Sequence, residues 1–212
     1  MTQVLISGMR IDAKAGKVSD LTSKLGVDAS GTDKLTGECS ACGKWAGAIA
    51  RRLERSNVFC RTEFYREWRR RMWERNVYDA VFNVLGAVRP NQPTTLGEVA
   101  NFYGEEVSDL VWEMSQLLRG WRALTLTFGF EERIFGIAEA GDNGIPCGMG
   151  NPAMFPFIFG NSVFFESKQY VEYLQYAQSE CGLLQGIELP QRADEDYTSK
   201  MRPGNLRADG VV

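Results

Sequence analysis

The chain has 212 residues, 44% of them hydrophobic and 24% charged. That is enough apolar material for a packed core, and too even a composition for a disordered, collagen-like or disulfide-scaffold protein. The 24 basic groups face 27 acidic ones, a formal net charge of −3, so binding to nucleic acid or an anionic membrane would have to come from a local patch. The absence of histidine removes Ser-His-Asp and Cys-His catalysis, His-ligated zinc and haem, and the histidine pH switch together.

In chain order, residues 1–38 are polar, rich in Gly, Ser, Thr, Asp and Lys, with only scattered Leu and Val; this composition reads as an N-terminal arm that buries little by itself. Its first eleven residues are too few and too polar for a secretory signal, and no run approaches the roughly 18 to 20 apolar residues of a membrane span. A protein made and kept in the cytosol is therefore expected, with no membrane span. A helical core domain follows over residues 39–186. Residues 45–56 read as a short helix and 59–88 as a long one, in which Tyr65, Trp68, Met72, Trp73, Val77, Val81, Leu85 and Val88 form a drifting apolar stripe. Pro90 and Pro93 end it. Thr95 and Glu98 have the spacing of a capping box and open a second long helix, which is expected to run to about Arg122.

Leu124, Leu126, Phe128 and Phe130 alternate with smaller or polar residues, the period of a half-buried strand, and residues 133–139 offer a partner across Glu131-Glu132; together they predict a β-hairpin over about 123–139. Residues 141–160 form a Gly/Pro-rich loop with an apolar end carrying Phe155, Phe157 and Phe159. A last helix is expected over 164–185, opened by Ser162 or Ser167 and stopped at Gly186. Residues 187–212, punctuated by Pro190, Pro203, Gly204 and Gly210 around the acidic run Asp194-Glu195-Asp196, read as a C-terminal arm. The expected fold class is thus mainly α: about four helices, a small β-hairpin and extended N- and C-terminal arms.

Charge is the most distinctive pattern. Between residues 51 and 75 nine arginines (51, 52, 55, 61, 66, 69, 70, 71 and 75) stand against four glutamates, whereas residues 98–118 hold five acids (Glu98, Glu105, Glu106, Asp109 and Glu113) and no base. Such complementary helices can pair within one molecule, be solvated, or dock one copy on the next. Arginine outnumbers lysine 17 to 7, and its planar fork also suits phosphate, with Tyr65, Trp68 and Trp73 as stacking surfaces for single-stranded nucleic acid. The interface or nucleic-acid candidates are Arg51, Arg52, Arg55, Arg66, Arg69, Arg70, Arg71, Arg75, Glu105, Glu106, Asp109, Phe155, Phe157 and Phe159.

Five cysteines form an odd set in a chain large enough to fold without staples, and free thiols are expected. Cys39 and Cys42 have the gap of a metal or redox pair, with Cys60 as a third weak candidate ligand, yet no second pair completes a four-ligand zinc site. Cys147 lies in a glycine-rich loop without a histidine to activate it. No catalytic residue, metal or other cofactor is predicted. The reading that follows is a non-enzymatic structural subunit of a large assembly, such as a virus or phage particle, connector or tail, whose partners are copies of itself or other subunits and which could be incorporated into a virion. The alternative is a nucleic-acid-binding or packaging protein using the arginine-rich helix over 51–75, and a third reading is a Cys-based metal or redox accessory subunit.

Overall fold

In a computed structural model of the chain, residues 1–6, 9–12, 14, 17–20, 39–56, 58–89, 94–140, 147, 162–184 and 189 are described. They belong to two compact units, Met1–Asn76 with Leu126–Ile145, and Val77–Thr125 with Pro146–Val212. The protein is mainly helical with a small three-stranded sheet.

The first unit is built on a strand–helix–strand crossover. Strand β4 (Cys39–Cys42) leads into α1 (Ala46–Glu54) and back to β5 (Cys60–Glu63), which lies parallel to β4 with Cys39 opposite Cys60 and Cys42 opposite Glu63. Parallel neighbours need such a crossover, because a tight turn can only return the chain antiparallel. Strand β1 (Gln3–Leu5) adds antiparallel on the other side of β4, Val4 opposite Ala41, giving the order β1-β4-β5. Helix α1 covers one face of this sheet: Ala46 and Ala50 bury against Cys39, Ala41, Cys60 and Val58, with Val4 and Leu53 packed beside them. Small side chains on both sides are what allow so short a helix to sit close to the sheet.

Strands β2 (Met9–Asp12) and β3 (Lys17–Asp20) pair as an antiparallel hairpin, Met9 opposite Asp20 and Asp12 opposite Lys17. The segment expected as an N-terminal arm therefore contributes three strands. Composition misses β1 because that strand pairs with residues some forty positions away, and such non-local pairing leaves no mark on a polar stretch of sequence.

Helix α2 (Tyr65–Ala87) gives its first part to this unit, where Trp68 and Trp73 are buried. Helix α5 (Phe130–Ala140) belongs here too. It overturns the expected β-hairpin over 123–139: residues 123–127 are irregular, and the supposed second strand is a helix burying Ile134, Ile137 and Ala138. That spacing of three and four is helical, and the pair Glu131-Glu132, expected as a turn, sits in the first helical turn, where the exposed amides and the helix dipole favour negative charge. The alternation of Leu124 and Leu126, both buried, with exposed Ala123, Thr125 and Thr127 is real, but no strand lies against it among the described residues.

In the second unit every residue of α2 from Val77 to Ala87 is buried. The segment is apolar on all sides, as a helix surrounded by others must be, apart from Asp79 and Asn83; the Asn83 amide donates to the Asp79 carbonyl at 2.7 Å. The capping box forms as expected, Thr95 Oγ1 accepting from the Glu98 amide at 3.2 Å and Glu98 accepting from the Thr95 amide at 2.7 Å. The single helix expected to reach Arg122 is two, α3 (Leu96–Phe102) and α4 (Gly104–Arg122), broken at Tyr103, whose φ of −127° and ψ of 29° leave the helical region. Helix α4 lays Val107, Leu110, Val111, Met114 and Leu118 into the core. The last helix among the described residues, α6 (Lys168–Ser179), follows a 3-10 turn (Ser162–Glu166) and is capped by Ser167, whose hydroxyl accepts from the Tyr170 amide at 2.9 Å. Its stop at Ser179 comes earlier than the expected Gln185.

Candidate functional site

The four-residue strand β4 decides what Cys39 and Cys42 can do. Side chains three apart on a strand point to opposite faces: Cys39 enters the core under α1, while the Cys42 thiol lies 3.9 Å from the Gln3 side-chain oxygen. The pair does not converge on one atom. Cys60 lies beside Cys39 on the same face; burial, with the neighbouring Cys39 and Glu63, pushes its thiol up to about 11. Among the described residues no group of three or more Cys, Asp or Glu is placed to hold a metal ion.

Cys147 is also sequestered. It is fully buried, its amide donating to the Thr94 carbonyl at 2.8 Å and its thiol to the same oxygen at 3.1 Å. Burial pushes the thiol up to about 12, so its reactive thiolate is scarce at neutral pH. No helix among the described residues is long and apolar enough to cross a membrane.

The charged residues separate into those consumed inside the fold and those left outward. Glu63 takes an ion pair from Arg71. Glu106 accepts from Arg89 at 2.7 Å and from the Tyr173 hydroxyl at 2.6 Å, and the Arg89 guanidinium stacks 3.6 Å from the centre of the Tyr103 ring. This clamp ties the end of α2, the break between α3 and α4, and α6. Glu113, also on α4, bonds the Ser167 hydroxyl and the Lys168 and Gln169 backbone at the start of α6; burial nevertheless outweighs those bonds and holds its carboxyl above the usual range.

Partial burial pushes the Glu106 carboxyl up as well, but the hydrogen bonds from Arg89 and Tyr173 and the arginine's charge outweigh it, leaving the pKa below the ordinary carboxylate range. A depressed folded-state pKa contributes stability that is present above the unfolded value and is lost as pH falls through the folded one. Glu106→Gln is therefore expected to lower stability at pH 7 and to flatten the loss between neutral and acid pH, read from urea midpoints at pH 7, 5 and 3. Parallel curves for the two proteins would refute this role.

What remains outward has two characters. In the first unit, Lys44, Arg51, Arg52, Arg55 and Arg66 are exposed against the exposed acids Glu54 and Glu67, and Trp45, Phe64 and Tyr65 stand in solvent at 61%, 85% and 61% exposure. Arg69, Arg70, Arg71 and Arg75 are half-buried. In the second unit Glu98, Glu105 and Asp109 are exposed, with Phe102 and Trp112 also in solvent, while the exposed Arg119 and Arg122 carry positive charge at the C-terminal end of α4. Glu105, Asp109 and Trp112 recur at four and three residues, which puts them on one face of α4. Trp68 and Trp73, expected as stacking surfaces beside Tyr65, are buried instead.

The aromatic members Trp45, Phe64, Phe102 and Trp112 are not among the candidates that the sequence singles out. Their only signal is position: each falls off the buried stripe of its helix or next to a strand end. Phe155, Phe157 and Phe159 lie outside the described residues.

Beside these groups a groove of about 640 Å³ runs between α1 and β5, lined by Gly47, Ala50, Arg51, Glu54 and residues 59–63. Strand β5 is the outermost strand of its sheet among the described residues, and Gly47 leaves open space where a side chain would stand. No family model, no curated protein and no solved structure matches the chain.

Proposed function

We propose that the protein is a non-enzymatic subunit of a larger assembly, such as a virus or phage particle, connector or tail, and that its copies or sister subunits dock through outward faces of opposite charge. The observation that carries this reading is the placing of large aromatic side chains in solvent within those faces: Trp45, Phe64 and Tyr65 among bases, Phe102 and Trp112 among acids. Aromatic residues and arginine, desolvated together, supply most of the energy of protein interfaces. A basic face that meets an acidic face of the next copy makes a head-to-tail contact, which closes into rings or extends into filaments.

Native mass spectrometry of the full-length chain tests this. A defined multi-subunit species is expected, shifted toward monomer by Trp112→Ala, whose side chain is already in solvent and so contributes little to the core. A monomer at tens of micromolar with no co-purifying partner would sink the reading.

A second reading, binding of single-stranded nucleic acid, is favoured by the exposure of Phe64, Tyr65 and Arg66 next to the α1 arginines, a combination of stacking and phosphate-pairing groups. It expects affinity for an unstructured oligonucleotide that falls steeply with salt as counterions are released. Equal weak binding at low and high salt would count against it.

A further inference from the structure

We propose that the outer edge of β5 and the groove beside α1 receive the acidic segment around Asp194-Glu195-Asp196 from a second copy of this chain. This deepens the assembly reading and rests on it. An outermost strand offers a row of backbone donors and acceptors to an incoming extended segment. Here that edge is flanked by a groove with small residues, Gly47 and Ala50, and two arginines, Arg51 and Arg61, in its lining.

The occupant follows from charge and spacing. Arg51 lines the groove and Arg55 lies one helical turn further along the same face; residues so related are about 6 Å apart. Glu63, which also lines the groove, is tied to Arg71, leaving Glu54 as the exposed carboxylate beside Arg51. In an extended segment, residues two apart lie on one side and are about 6.6 Å apart. A strand carrying Asp194 and Asp196 on one side thus presents two carboxylates at about the spacing of the two arginine Cβ atoms, with Glu195 turned the other way. In the sequence this run is the densest cluster of acids, three in succession, and it follows the last described position, Leu189, by five residues.

The test uses the full-length chain. Association is measured by sedimentation velocity, and exchange of the 60–63 amides by hydrogen–deuterium exchange, for the native protein, Arg51→Glu with Arg55→Glu, Asp194→Lys with Asp196→Lys, the combination of all four, and Glu195→Lys alone. Each charge-reversed pair is expected to weaken association at least about tenfold and to speed exchange at β5. The combination should recover most of both, and Glu195→Lys should change association less than either pair. The 194/196 substitutions leave α1 itself untouched, so their effect does not depend on how that helix tolerates charge reversal.

An oligomer indifferent to both pairs, or one not recovered in the combination, overturns this inference while the assembly reading stands. Protection of β5 that persists at dilutions where the protein is monomeric assigns the edge to the same copy or to none, and also overturns it. A native chain that is monomeric at every concentration removes both.

Discussion

Glu74→Ala is expected to cost about 3–5 kcal/mol of unfolding free energy, the range for removing one partner of a buried ion pair. Glu74 lies on α2, and its side chain is 4% exposed. Arg133, on α5, meets it with two parallel bonds, Nε to Oε1 at 2.7 Å and Nη2 to Oε2 at 2.8 Å. The same guanidinium donates to the Phe128 carbonyl at 2.9 Å and the Thr127 carbonyl at 3.1 Å. One arginine thus links α2 to α5 and also holds the turn from which α5 starts.

Truncating the glutamate takes both parallel bonds away from a cation held largely out of water, and a buried charge that loses its ion-pair partner is far more costly than the pair is stabilising. The same reasoning predicts that Glu74→Met with Arg133→Met recovers much of the loss, because neither charge then has to be desolvated. Urea unfolding provides the measurement: the midpoint should fall with an unchanged slope. A loss below about 1 kcal/mol, or a double variant no better than the single one, would show that the pair is not what joins the two helices.

How much of this architecture the sequence displays depends on the range of the interactions. The box at Thr95 and Glu98, the first half of α2 and the cap at Ser167 are set by residues within four positions of one another, and reading the chain locally finds them. Arg133–Glu74 spans 59 positions and Tyr173–Glu106 spans 67; nothing near Glu74 or Glu106 distinguishes either from a solvated glutamate. The excess of arginine over 51–75 is plain, but which arginines face outward is not, since Arg71 and Arg51 differ only in what the fold brings beside them.

The difference between sequence pattern and fold over 123–139 has another origin. A short apolar run such as Ile134 to Ala138 fits both a strand and a buried helical turn, and the acidic pair before it, a helix-start signal, reads equally well as a bend. Cys39-Ser40-Ala41-Cys42 misleads in the opposite direction: the spacing evokes a thiol pair, whereas a strand conformation sends the two sulfurs apart.

That strand also controls the second large effect, at Gly43. The chain leaves β4 through Gly43, with φ of +98°, toward α1, and the first residues of the protein cross the turn: a Cβ on Gly43 would stand 2.3 Å from the Met1 carbonyl oxygen and 3.0 Å from the Thr2 Cα. The Trp45 amide donates to the Thr2 hydroxyl at 3.2 Å, and the next residue, Gln3, begins the pairing with Cys42. Gly43→Ala therefore meets two penalties. The backbone angle is strained for any L side chain, about 1–3 kcal/mol, and the methyl group must displace the chain that starts β1.

The expected outcome is a loss of about 2–3 kcal/mol together with faster amide exchange over residues 3–5 than anywhere else in the sheet. Shortening the chain by its first two residues separates the causes. In that background the collision is gone, and Gly43→Ala should retain only the angular part. If the substitution costs less than about 0.5 kcal/mol in the full chain, the turn is not fixed by β1. Met1 and Thr2, which precede β1, would then not be held against the turn, and the pairing of β1 with β4 would be independent of the start of the β4-α1-β5 crossover.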